Sequence, residues 1–182
     1  MTYFSFVVVI FILCVSSSYG ANGVKVVDVD TICKGVIDYT YCSNLLNSKP
    51  GKNRDLISFA EYGIGVARVN VTNTFNLIRR LIANSGSDVG AKKHYEICLY
   101  HFDAKVGALR LVDEAVRNLK TGDYGSARER AGAISVHCFD CVRGESPGET
   151  PFPDPSQLPK YAHVVIQISQ ILEHIFRFII YA

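Results

Sequence analysis

Cys138-Phe139-Asp140-Cys141 places two thiols at a spacing that serves redox and metal chemistry. A dithiol redox couple needs a thioredoxin-like βαβ setting, and no stretch of this sequence alternates apolar and polar residues as a strand would. A zinc site needs two further ligands, for which His101 and His137 are the nearest candidates. Thiolate zinc is a poor fit to an oxidising compartment, so the favoured reading is one disulfide partner beside one spare thiol. The five histidines, His94, His101, His137, His163 and His174, have no acid or nucleophile at a recognised spacing. GxSxG, HExxH and P-loop patterns are absent. Asp38 and Asp113-Glu114 stand isolated, and Glu61, Asp103 and Glu129 read as solvated faces. The chain is therefore read as a non-enzyme with no cofactor and no metal.

The compartment follows from the start of the chain. Residues 1–20 read MTYFSFVVVIFILCVSSSYG, with an apolar run too short to span a bilayer and small residues at Ser18 and Gly20. This pattern predicts a secretory signal cleaved before Ala21, leaving 21–182 as one domain. Cys14 leaves with the signal. Cys33, Cys42, Cys98, Cys138 and Cys141 remain, an odd number. On one continuous helix Cys33 and Cys42 would lie about 13 Å apart. A disulfide needs Cα atoms within roughly 7 Å, so pairing requires the chain to turn back, which Asp38-Tyr39-Thr40 permits. Cys98 and Cys138 form a second candidate pair. They lie 24 residues before and 16 after Gly122, an imperfect mirror that needs a tilt or offset between helices. Four cysteines allow three connectivities, and spacing alone does not choose among them.

The elements that would position these groups are helical. Asp30 or Thr31 can cap a short helix from Ile32, and SKPGKN (48–53) is turn chemistry. A first long helix is predicted over about 55–83, with Leu56, Ala60, Gly63, Ala67, Val71, Thr74, Ile78 and Ile82 on one stripe. A second is predicted from the cap Asp88 to Thr121, with Cys98, Phe102, Val106, Leu109, Val112, Val116 and Leu119 inward. A third runs from the cap Asp123 to about Arg143. Residues 145–159 hold five of the six prolines and must be loop. The last helix covers about 159–180. Its polar residues, His163 to Arg177, argue against a membrane anchor. Four amphipathic helices joined by turns make an antiparallel bundle.

The 182 residues carry a formal net charge of +2, which the signal does not alter, and nothing there demands nucleic acid or, after signal removal, a membrane. Asn70-Val71-Thr72 is the one glycosylation sequon, on a helix beside a core position.

Taken in order, these features resemble the plant invertase and pectin methylesterase inhibitor family. The resemblance spans about 29–180. It rests on the leader, on ICKGVIDYTYC with its Cys-x8-Cys hairpin, on the Tyr-x-x-Cys of KKHYEIC, on the forty positions from Cys98 to Cys138, and on the LKTGDYGSA turn. It implies an all-α, up-down-up-down four-helix bundle with an N-terminal helical hairpin and two disulfides. The implied disulfides are Cys33–Cys42 and Cys98–Cys138, with Cys141 as the free thiol. It further implies a secreted protein of the plant cell wall (apoplast) that occludes an enzyme's active site in a one-to-one complex.

The implied enzyme is pectin methylesterase or acid invertase. The Pro-Lys-Phe turn of well-understood invertase inhibitors is replaced here by Gly122-Asp123-Tyr124-Gly125-Ser126, which favours pectin methylesterase. His137 in place of the frequent Thr, the short acidic run after Cys138 and the Pro-rich linker depart from that group too. An extracellular helical binding protein without an enzyme target is the remaining alternative. An inhibitory face should carry polar and aromatic groups away from the core stripes. Lys93, Tyr100, Asp103, Arg110, Asp113 and Arg117, with Arg128 and Glu129 on the next helix, are the candidates.

Overall fold

A computed structural model describes residues 27–145 and 150–181. The expected signal, its cleavage site and Cys14 lie outside the described residues. Within these residues seven helices follow one another: α1 (Val29–Cys33), α2 (Tyr39–Asn47), α3 (Leu56–Asn84), α4 (Val89–Phe102), α5 (Ala108–Thr121), α6 (Tyr124–Arg143) and α7 (Leu158–Tyr181). Among the described residues there is no strand.

Aspartates start most of these helices. The carboxylates of Asp38, Asp55, Asp88 and Asp123 accept from the backbone N–H of Tyr41, Ser58, Ala91 and Ser126, satisfying donors that have no partner inside the helix. Gly122 closes α5 at φ +76°, a left-handed conformation that costs glycine nothing. The first helix begins earlier than predicted, at Val29 after Asp28, and the hairpin turns at 34–38. Asp38 therefore ends the turn as the α2 cap and does not lie at its centre.

The bundle is four-cornered and up-down-up-down. Helix α3 packs on α4, α5 and α7, while α6 packs on α4, α5 and α7. The predicted stripe of α3 is buried from Leu56 to Ile78, with Ile82 half-buried. In α7, Val165, Ile168, Leu172 and Ile175 are buried, whereas Tyr161 is exposed. By composition and length α7 could cross a membrane, yet ten of its residues are buried in this bundle.

The predicted second long helix is two helices. After Phe102 the chain leaves helical geometry for five residues, and the Asp103 carboxylate accepts from the N–H groups of Lys105, Val106 and Gly107 at 2.8, 2.8 and 3.2 Å. Gly107 packs against the main chain of His101, where a Cβ would collide with the carbonyl. The break changes the helical phase. Val106, Leu109 and Val116, predicted inward, are only half-buried, and Ala108, Leu111, Val112, Ala115 and Leu119 form the buried stripe of α5.

Candidate partner-binding surface

The disulfides set the frame on which any surface is presented. Cys33 and Cys42 are joined across the hairpin, with Cα atoms 5.6 Å apart. The second bridge corrects the expectation. Cys98 pairs with Cys141 at a Cα separation of 4.5 Å, and the free thiol is Cys138. The physical reason lies in the α4–α5 break. Five residues out of helical register change how far back along the rod Cys98 lies, so it meets α6 one turn beyond Cys138. Cys138 then points into the core with no exposed surface, and burial pushes its thiol pKa far up. Such a thiol is unreactive toward solvent.

Two histidine clusters flank this bridge. His101 is buried, and its Nδ1 lies 3.0 Å from Nδ1 of His137, while its Nε2 lies 3.0 Å from Oε1 of the exposed Glu145. One Nδ1 must carry a proton and the other must not. Burial and the neighbouring His101 hold the His137 pKa below the ordinary imidazole value. These are the imidazoles the sequence offered to zinc. With Cys141 in a disulfide, no group of three or more His, Cys, Asp or Glu able to hold a metal occurs among the described residues.

The second cluster ties the Pro-rich loop to α4. Phe152 stacks on His94 at 4.5 Å, and Asp154 Oδ1 accepts from the Tyr95 hydroxyl at 2.9 Å. Asp154 Oδ2 is buried without a hydrogen-bond partner, 3.7 Å from His94 Nε2.

The candidate contact residues divide into three places. Arg110, Asp113 and Arg117 lie along α5, where Arg110 Nε donates to Glu114 Oε1 at 2.7 Å, Arg130 of α6 meets Glu114 Oε2 at 2.9 Å, and Arg68 of α3 pairs with Asp113. Lys93 and Tyr100 lie on α4, both exposed, Tyr100 by 54%. Arg128 turns the other way, toward α7, with its guanidinium 3.8 Å from Glu173, and Glu129 borders the same α6–α7 side. Asp103 is no free contact residue, because its carboxylate holds the break together. That duty keeps its pKa low: burial alone would raise it, and the backbone donors outweigh burial.

Asp113-Glu114, expected to stand isolated, do not: Asp113 pairs with Arg68, and Glu114 is the centre of the α5 network, its pKa drawn down by the Arg110 hydrogen bond. The Arg110–Glu114 spacing of four was its signal, but Arg130 reaches it from another helix. Asn70 is half-buried on α3, with its amide donating to Val66 O at 2.9 Å.

Known proteins resemble this chain in fold and in sequence. The fold is that of a solved pectin methylesterase inhibitor from Arabidopsis in a mutant form, with a TM-score of 0.69 and 19% identity over 82% of this chain and 95% of that one. A second inhibitor structure from Arabidopsis thaliana gives 0.60 and 18%, over 82% and 93%. In sequence, the chain is 25% identical to Pectinesterase inhibitor 2 of Arabidopsis thaliana over 105 residues, 57% of this chain, and the match spans 58% of that relative's length. Residues 27–168, covering every helix through the first half of α7, match the profile described as plant invertase/pectin methylesterase inhibitor, and the chain belongs to that family.

Proposed function

We propose that this protein is a secreted inhibitor of pectin methylesterase that acts in the plant cell wall. It has no catalysis of its own and forms a one-to-one complex that covers the enzyme's active-site cleft. The observation that carries this reading is the family match over residues 27–168 on a stapled bundle of the same fold as two pectin methylesterase inhibitors. A bundle held by two disulfides offers a preorganised face, which lowers the conformational entropy lost on binding. We assign to the enzyme the charged ladder of α5 together with the exposed Tyr100 and Lys93 of α4. Exposed aromatic and arginine side chains are the usual anchors of such interfaces.

The test is titration of the purified mature protein against a pectin methylesterase and an acid invertase. Methylesterase activity should fall to a floor at equimolar inhibitor while invertase activity is unchanged. A methylesterase untouched at large excess overturns the reading. Within the active protein, Tyr100→Ala with Arg110→Glu and Arg117→Glu should weaken inhibition at least tenfold without lowering the melting temperature by more than a few degrees. Wild-type inhibition by that variant would move the interface elsewhere.

A further inference from the structure

The hairpin does not close flush on the bundle. Between residues 36–41, α6 and α7 runs a groove of ≈ 520 Å³, and past Ile37 and Gln170 it meets a second hollow of ≈ 240 Å³. Helix α7, though largely apolar, lines these hollows with Glu173 and with a run of His163, Gln167, Gln170, His174 and Arg177. The run's spacing of four, three, four and three residues makes one polar stripe along the floor. Ile37 at the lip is 89% exposed and Tyr39 44%.

The charges in this groove do not cancel. Its lining holds three arginines, Arg128, Arg143 and Arg177, against two carboxylates: Asp38, which caps α2 and accepts from Gln167 Nε2 at 2.8 Å, and Glu173, which faces Arg128. Arg143, seated over the Phe139 ring at 4.7 Å in the larger groove, and Arg177 in the smaller hollow have no carboxylate partner among the described residues. An elongated, open groove with guanidinium forks toward both ends, amides on its floor and an aromatic edge does not suit a compact apolar ligand. Guanidinium forks match carboxylates in two-point geometry, and amides and aromatic faces suit sugar hydroxyls and ring faces.

We infer that this groove binds an acidic oligosaccharide, a stretch of uronic acid chain with free carboxylates, at a site separate from the α5 face. Its biological setting rests on the reading as a methylesterase inhibitor, since hydrolysis of a methyl ester turns a neutral uronate ester into a carboxylate. The groove would then hold the inhibitor where the enzyme has already worked.

Calorimetric titration of the mature protein with a de-esterified oligogalacturonide, its fully methyl-esterified counterpart and a neutral gluco-oligosaccharide tests this. Binding of the first alone, weakening as salt rises, is expected. Arg143→Gln with Arg177→Gln should lose about tenfold or more in that affinity, as expected for charged hydrogen bonds, and keep wild-type folding and methylesterase inhibition. No binding of the de-esterified chain, equal binding of the esterified one, or wild-type affinity in the double variant overturns the inference. Loss of inhibition in the double variant would make the groove part of the enzyme interface and overturn it as well. A protein that binds the acidic chain but inhibits no methylesterase keeps this inference and defeats the functional reading.

Discussion

At His94 the loop, helix α4 and the second disulfide meet. The ring carries Phe152 on one face, and its Nε2 lies 3.8 Å from Cys98 Sγ and 3.7 Å from the unpartnered Asp154 oxygen. Burial holds its pKa below the ordinary value, and the Asp154 carboxylate offsets part of that. His137 and His174 are lowered by burial in the same direction. A histidine with a depressed folded pKa favours the native state only while neutral. Its contribution is complete above the unfolded value of about 6.5 and is lost as pH falls through that value toward the folded one. The melting temperature should therefore drop between pH 7 and pH 5, and a melting temperature rising over that interval would contradict this account. Imidazole NMR titration gives the sharper check. Asp154→Asn should move the His94 midpoint further down, because the carboxylate is what raises it. A midpoint that stays or rises would mean that Asp154 does not act on His94.

The element whose form the sequence concealed is the rod from Asp88 to Thr121. Helix starts were legible because an Asp cap is a local event: Asp55, Asp88 and Asp123 each satisfy a donor three residues on. The α4–α5 break has no proline, and helical periodicity runs through it on paper. It exists because Asp103 captures three N–H groups and because Gly107 lets the chain approach the His101 carbonyl, contacts that appear only once the chain has bent. Gly107→Ala puts a methyl against main chain that cannot rotate away, so it should cost about 1–3 kcal/mol. Gly65 is exposed within α3 and has open space where a Cβ would go. Gly65→Ala should stabilise by up to about 1 kcal/mol, since alanine orders into a helix at less entropic cost. Urea unfolding of the two variants reads both signs. Equal effects would mean that Gly107 is not a close-approach position.

For the whole molecule, the bundle was legible and its second staple was not. Four apolar stripes with turn signals between them imply four packed helices, whatever the exact crossing. Which cysteine of α6 meets Cys98 depends on how far the α4–α5 break shifts one rod against the other, and no local pattern carries that distance. The outcome is measurable. Peptide mapping without reduction should recover Cys98–Cys141, and a thiol reagent should label Cys138 only after unfolding, because that thiol is buried and its thiolate suppressed. Cys138→Ala should keep the bridge and cost about 1 kcal/mol for the lost packing. Cys98→Ala opens a loop of 43 residues and should cost roughly 4 kcal/mol in the chain-entropy description. Cys141→Ala is a poorer probe, since it leaves Cys98 free to seek Cys138 one turn away. If the proposed inhibition uses the rigidity of the bundle, Cys98→Ala should also raise the inhibition constant at temperatures where the fold persists, because the opened rods must be reordered on binding. An unchanged inhibition constant in a folded Cys98→Ala protein would confine the second bridge to stability and remove it from recognition.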